Sequence, residues 1–244
     1  MIKLFDKLIR HKKETHPVCS AVVPAAGSSS RMGGENKLFL PLAGIPVLVR
    51  TLRDLDRSRF VDEIIVAVRE EDLVTVAELC RNYGITKPVK VIRGGSCRLE
   101  SVMAACLECR ADAAFIAVHD GARPLAGADL IDRVIDRAFH TNAAAPAVEV
   151  KDTIKVVRNG VVVSTPERAS LRAVQTPQVF DAQLLRAALQ NASDSGAAVT
   201  DDCSAVERLG KDVYLVESSY ENLKITTPED VLLAEEILRR RGES

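Results

Sequence analysis

Tryptophan is absent from this 244-residue chain, and aromatic side chains make up only 4% of it. Platforms for stacking single-stranded bases are therefore scarce. No apolar run is long enough to cross a bilayer. An excess of charge of either sign is missing too: 33 Lys and Arg face 34 Asp and Glu, for a formal net charge of −1. No global field exists to hold nucleic acid, so any anion must be gripped by a local cluster of cations. Of the six cysteines only Cys106 and Cys109 are close, with no second pair to complete a zinc site or a disulfide framework. Their spacing in a helical pattern puts them on one face as structural residues. No secretory signal opens the chain, and a cytoplasmic protein without nucleic-acid or membrane partners is expected.

Two nucleotide fingerprints are also missing. There is no G-x-x-x-x-G-K-[ST], which excludes a Walker-type NTPase, and no G-x-G-x-x-G followed by an acid, which disfavours a dinucleotide oxidoreductase. No serine–histidine–acid set or histidine cluster suggests nucleophilic catalysis.

What is present is a rhythm of apolar runs and helical patterns. Ala21–Pro24, Ile64–Val68, Val89–Ile92 and Ala113–Val118 read as buried strands. Helices are expected from Pro46, over Leu73–Tyr83 with Gly84 closing, and over Leu99–Cys109, Leu130–Phe139 and about Ala182–Ala192. The fold class is therefore α/β: a mostly parallel, Rossmann-like sheet with helices on both faces. From Val148 to Val157 the pattern alternates, Arg158-Asn159-Gly160 signals a turn, and Val161–Val163 pairs back. This protruding β-hairpin arm, residues 148–168, reads as a dimerisation arm, a substrate flap or a decorated edge. Val199-Thr200-Asp201-Asp202 caps another helix, Tyr214–Val216 and Leu223–Ile225 read as strands, and Thr227-Pro228-Glu229-Asp230 starts the last helix. Residues 1–17 form a flexible, amphipathic basic extension or a helix touching a membrane or partner, and 18–244 a single domain.

Two stretches carry chemistry. Ala25-Ala26-Gly27-Ser28-Ser29-Ser30 follows the first strand with side chains small enough to bring backbone amides to a ligand, and Arg31 and Lys37 add cations. A polyphosphate cradle and a plain surface turn both fit that loop alone. His119-Asp120-Gly121-Ala122-Arg123-Pro124 follows another strand, and parallel strands bring both stretches to one edge. Asp120 suits a divalent metal completed by substrate phosphates, or a turn aspartate bonded to its own backbone. His119 reads as a buried, locally bonded residue. Cations with a metal site suit transfer of a phosphorus centre, where positioning and charge neutralisation dominate.

Ala25 to Met32 with Lys37 resembles the signature loop of nucleotidyltransferases acting on sugar or polyol phosphates. With His119–Pro124, Lys151-Asp152-Thr153-Ile154-Lys155, Gln175-Thr176-Pro177-Gln178 and Asn222–Thr226 in the same order, the chain from Cys19 to Arg239 resembles the 2-C-methyl-D-erythritol 4-phosphate cytidylyltransferase family of the non-mevalonate isoprenoid pathway. The resemblance implies CTP and a polyol phosphate as substrates, magnesium or another divalent cation at Asp120, and a homodimer. It assigns Arg31 and Lys37 to the triphosphate, Ala25, Ala26 and Gly27 to the nucleotide loop, Gly95 and Ser101 to the cytosine, and Lys224 to the α-phosphate. Asp120, Arg123, Thr153, Arg168, Thr176 and Thr200 fall to the methylerythritol phosphate. Arg123, Thr153 and Arg168 would reach across the dimer on exchanged arms. Ser29 stands where many related loops have glycine, Ser96 where some members have aspartate, and Gly121 where the related motif has alanine. The rival readings are a ribitol 5-phosphate cytidylyltransferase and a non-catalytic nucleotide-binding module.

Overall fold

Cys19–Pro24 (β1) is sealed from solvent along all but its last residue. Such a strand needs a partner on each edge and cover on each face. A computed structural model, describing residues 16–27 and 36–243, supplies both. β1 lies parallel to Val61–Val68 (β4) on one side and to Phe115–Val118 (β6) on the other. The remaining strands of the sheet are Val89–Arg93 (β5), Ala143–Glu149 (β7), Arg172–Val174 (β10), Gln178–Asp181 (β11) and Tyr214–Glu217 (β12). They run in the order β10-β7-β11-β6-β1-β4-β5, with β12 also pairing β7. The block β6-β1-β4-β5 is parallel throughout, as is β12 on β7; β11 and β10 insert antiparallel.

The strand period of two sorts side chains into two cores. Ala21, Val23, Ile64, Val66, Phe115 and Ala117 face the first, under Val47–Arg57 (α1), Ala128–Thr141 (α4) and Pro228–Arg241 (α7). Val22, Ile65, Ala67, Ile116 and Val118 face the second, under Arg98–Glu108 (α3), Ala182–Asp194 (α5) and Asp202–Glu207 (α6). Leu48, Leu52 and Leu55 of α1 are fully buried at helical spacing, each contributing roughly 1.5–3 kcal/mol by leaving water. Leu73–Asn82 (α2) lies on the first face, ahead of β5. Asp54, on the inner side of α1, accepts from the Gly127 backbone N–H at 2.9 Å and so ties α1 to the start of α4.

The helix expected at the C-terminus starts at Thr227 with Pro228 behind it; the Asp230 carboxylate accepts from the N–H groups of Thr226 and Thr227 at 2.7 and 2.8 Å. Cys106 and Cys109 are buried structural residues, as their spacing suggested, and all six cysteines are free. His16 at the near end of the described chain packs edge-on against Phe60. The rest of the expected 1–17 extension, residues 1–15, lies outside the described residues.

Three expectations change. Leu223–Ile225 is not a strand: it is extended chain whose Ile225 N–H donates to the Ala122 carbonyl at 2.8 Å. The strand expected over 148–157 ends at Glu149, since its apolar part begins earlier, at Ala143, inside the sheet. Beyond it, the hairpin consists of Val156–Arg158 (β8) and Val161–Ser164 (β9). The expected turn is there, with Asn159 and Gly160 both at positive φ (51° and 79°), the conformation a two-residue hairpin turn demands. Finally, β10 and β11 had no sequence signal: both are short, β10 opens on Arg172, and β11 is polar at both ends. A small ladder, Pro41–Leu42 (β2) with Ile45–Pro46 (β3), leads into α1.

Candidate active site

Because β6, β1, β4 and β5 are parallel, their carboxyl ends share one edge, where ligands gather in α/β sheets. The segments leaving three of these strands are pinned there by backbone bonds. Ala25 N–H donates to the Ala67 carbonyl at 2.8 Å, Gly94 N–H to Val68 at 2.7 Å, and His119 N–H to Val22 at 2.8 Å. Between them opens a cleft of about 330 Å³ lined by Ala25, Ala26, Gly27, Lys37, Gly95, Ser96, Arg98, Ser101, Asp120 and Lys224. Lys224 arrives from the other end of the chain, held by the Ile225–Ala122 bond and by Asn222 next to it. Asn222 is buried, donating to Gln175 Oε1 and to the Thr176 carbonyl at 3.0 Å each.

Asp120 is the charge centre. Lys224 Nζ lies 2.8 Å from its Oδ2, Arg98 Nε 3.5 Å from Oδ1, and Arg123 Nε 3.7 Å from Oδ2. Burial pushes the carboxyl up, but Lys224 and Arg98, with help from Arg123, outweigh it and hold Asp120 well below the usual carboxylate range. It is an anion at any working pH. Behind it, His119 is fully buried, and burial lowers its imidazole to about 4, so it is neutral. Its Nδ1 pairs with Thr176 Oγ at 2.9 Å, and the same oxygen accepts the Asp120 N–H at 3.0 Å.

That geometry spends the Thr176 hydroxyl on the protein's own scaffold, where it fixes the Asp120 backbone. Ser101 is similar: nearly buried, its hydroxyl accepts from Gly95 N–H at 3.1 Å and donates to the Cys97 carbonyl at 2.8 Å. It builds the Gly94–Ser96 turn. The Glu100 carboxylate supports the same turn from outside, accepting from Ser96 N–H and Oγ at 2.7 and 2.8 Å. The glycines are required by close approach: a Cβ on Gly94 would stand 2.7 Å from that of Ala26, and one on Gly95 2.2 Å from that of Glu100. At Gly121, the related motif's alanine would meet Leu48 at 3.2 Å and Val23 at 3.3 Å.

Of the expected site residues, Ala25, Ala26, Gly27, Lys37, Gly95, Ser101, Asp120 and Lys224 line one cleft. Arg31 lies outside the described residues. Arg123 is mostly buried, donates through Nη1 to the Asn222 carbonyl at 2.6 Å, and faces its own Asp120. Thr153 and Arg168 sit on the exposed arm, with Arg168 Nη1 donating to the Lys151 carbonyl at 3.0 Å. Thr200 precedes the Asp201 cap of α6, its N–H donating to Ser204 Oγ at 3.2 Å. None of these three lines the cleft. The residue that sequence reading missed is Arg98, whose two η nitrogens donate to Asp202 Oδ1 and Oδ2 at 3.0 and 2.7 Å. Its signal, a cation opening a helix directly after a Gly-Gly turn, is weak without its partners.

Among the described residues no cluster of three or more acidic, histidine or cysteine ligands could cage a metal. Asp120 alone fits magnesium, which uses one or two carboxylates and keeps the rest of its shell for water and substrate phosphates. Each Asp120 oxygen faces a cation but has a second lone pair to offer.

The sequence model of the 2-C-methyl-D-erythritol 4-phosphate cytidylyltransferases matches residues 19–240. The chain belongs to this family. It is 46% identical over 218 residues to the 2-C-methyl-D-erythritol 4-phosphate cytidylyltransferase of Bacillus cereus, covering 89% of this chain and 96% of the relative. The enzyme of that name from Desulforamulus reducens is 43% identical over 225 residues, covering 91% and 96%. Among crystal structures, the 4-diphosphocytidyl-2C-methyl-D-erythritol synthase of Anaerococcus prevotii superposes with a TM-score of 0.83 at 30% identity, covering 91% of this chain and 96% of its own. The Thermus thermophilus cytidylyltransferase gives 0.73 at 31%, covering 91% and 99%. Family membership makes the chain an enzyme of the nucleotidyltransferase class. No helix among the described residues is long and apolar enough to cross a membrane.

Proposed function

We propose that this protein transfers a cytidylyl group from CTP to 2-C-methyl-D-erythritol 4-phosphate, giving 4-diphosphocytidyl-2-C-methyl-D-erythritol and pyrophosphate, as a cytoplasmic step of isoprenoid synthesis. The observation that carries the reading is the meeting of Lys37, Asp120 and Lys224 with two close-packed backbone turns in one cleft. The polyol phosphate is itself a nucleophile at neutral pH, so the site needs no general base. A phosphate oxygen attacks the α-phosphorus, the new P–O bond forms, the α–β bridging bond breaks, and its electron pair leaves with pyrophosphate.

The turns at Ala25–Gly27 and Gly94–Ser96 bring backbone groups to the nucleotide, with Ser101 holding the second turn in shape. Arg31 and Lys37 take the triphosphate and the charge that builds as pyrophosphate departs. Lys224 neutralises the α-phosphate in the pentacoordinate transition state, a donor aimed where charge develops. Asp120 would hold magnesium together with substrate phosphates, and the group would supply neutralisation of the charge on the departing pyrophosphate. Arg123, Thr153, Arg168, Thr176 and Thr200 serve the methylerythritol phosphate, Thr176 through the backbone it fixes. Orienting two polyanions that repel in water supplies much of the acceleration.

We also propose a homodimer that exchanges the 148–168 arms, bringing Thr153 and Arg168 to a neighbouring cleft. Support comes from the arm's exposed apolar residues, among them Val157, Val161, Val162 and Val163, a patch of the kind that marks interfaces. The deciding experiment offers the protein CTP with methylerythritol phosphate or ribitol 5-phosphate and measures pyrophosphate. Release with the first and little with the second is expected; release favouring ribitol phosphate, or none with either, refutes the reading.

A further inference from the structure

We propose that Arg98 is a positioning residue of this reaction, acting on the migrating phosphorus group through Asp120 and Lys224. The assignment rests on the cytidylyl-transfer reading. Arg98 opens α3 directly after the nucleotide turn, and its guanidinium is clamped from behind. Asp202 takes both η nitrogens in a two-pronged contact at 3.0 and 2.7 Å, and Asp202 is itself enclosed. It is buried at the start of α6, where its own N–H and that of Cys203 donate to Gln178 Oε1 at 3.0 Å each. Gln178 Nε2 in turn donates to Asp201 Oδ2 at 2.8 Å. The guanidinium is therefore held on its far side, and what it offers the cleft is Nε, 3.5 Å from Asp120 Oδ1.

With Lys224 on Oδ2 and Arg98 on Oδ1, the plane of the Asp120 carboxylate is set from both ends. The Lys224 ammonium is thereby set as well. Fixing a transition-state donor is worth as much as supplying it, because a misplacement of about 1 Å costs on the order of a hundredfold in rate. The same clamp joins the nucleotide turn, before Arg98, to the segment of Thr200, before Asp202. A lysine could not substitute. One ammonium cannot span both Asp202 oxygens and also reach Asp120, as a planar fork of five donors does.

Removing Arg98 alone strands a buried carboxylate and destabilises the protein for a reason unrelated to catalysis. The test therefore compares R98Q with R98Q/D202N, in which an amide pair fills the same space without charge. The urea midpoint should fall in R98Q and recover in the double variant. Turnover in the double variant should stay about tenfold or more below wild type, with the KM for CTP changed less than about threefold. Made on top of K224M, the same pair should cost less than about a further threefold, since residues acting as a unit are not additive. Where the double variant fails to fold, R98K keeps Asp202 paired and carries the same expectations. Turnover within about twofold of wild type, or a fully additive loss on K224M, overturns the assignment. Wild-type protein that releases no pyrophosphate with either polyol phosphate instead sinks the functional reading, and the Arg98 assignment with it.

Discussion

Replacing Lys224 by methionine separates a catalytic role from a structural one, because the structure assigns the two effects very different sizes. Methionine keeps the length and apolar stem of the side chain and deletes only the ammonium. The Lys224 side chain is 39% exposed, so its ion pair with Asp120 is screened and worth at most about 1 kcal/mol to folding. Asp120 also keeps Arg98 and Arg123 after the change, so no buried charge is orphaned. Catalysis has no such reserve. A donor aimed at the charge developing on the α-phosphate contributes about 2.7–4 kcal/mol, or roughly a hundred- to a thousandfold in turnover. K224M should therefore lose that much pyrophosphate release at saturating substrates while its urea midpoint, measured with the slope held fixed, moves by less than about 1 kcal/mol. K37A should lose two or more powers of ten in the same assay. Near-normal turnover in K224M, or a collapse in its stability, refutes the reasoning.

Gly95→Ala puts a methyl 2.2 Å from the Glu100 Cβ and 3.1 Å from its backbone carbon, so the nucleotide turn must shift; the KM for CTP should rise about tenfold or more with little change in thermal midpoint, and an unchanged KM contradicts recognition at that turn. Asp54 gives a pH signature. Burial lifts its carboxyl from 3.8 to about 6, against the opposing pull of the Gly127 N–H and Arg57. A folded value above the unfolded one means that the native state holds the proton more tightly. Stability is then greatest below pH 4 as far as this group is concerned, and it is lost as pH climbs through 6, at a cost of roughly 3 kcal/mol by pH 8. D54N keeps an acceptor for Gly127 and carries no charge, so urea unfolding should lose that slope and show a gain of about 1–3 kcal/mol at pH 8; an unchanged slope between pH 4 and 6 counts against it. Aspartates at Val161 and Val163 should dissociate the proposed dimer in sedimentation and reduce turnover, whereas a dimer that survives them places the interface elsewhere.

The α/β rhythm was legible because the central strands are buried on both faces. Val22-Val23 and Ile64-Ile65-Val66 read as unbroken apolar runs, the pattern of a strand covered on both faces. Where one partner decides the conformation, the signal failed. Gln178–Asp181 carries two polar ends and becomes a strand only because β6 and β7 lie on either side of it. Leu223–Ile225 shows the reverse: its alternation fits a strand, yet no neighbouring strand is there to pair, and a single bond to Ala122 holds it extended. Local pattern reports what a segment tolerates, and tertiary partners choose among the tolerated states.

The site divides along a similar line. Lys37 and Asp120, which line the cleft, were readable because charge next to a small-residue turn or a strand end has few structural uses; Lys224, in the middle of an expected strand, was found only through the family resemblance. Residues that act by holding others were not readable. Ser101 and Thr176 look like ligand contacts in the sequence, but their hydroxyls close the turn at Gly95 and the backbone at Asp120. Arg98 looks like an ordinary first-turn cation until Asp202, 104 residues away, is seen behind it. A chain of net charge −1 thus gathers Lys37, Arg98 and Lys224 along one cleft, with Arg123 just behind it, around a single acid. That acid lets the cations stand together before a polyanion arrives: without Asp120, like charges within a few ångströms in a half-buried site would repel one another and shed their order. D120N should accordingly loosen the site as well as slow it. Its loss of turnover should exceed that of K224M, because it frees Lys224 and also removes the counter-charge that Arg98 and Arg123 face, and a smaller loss would mean that the cations hold their places without it.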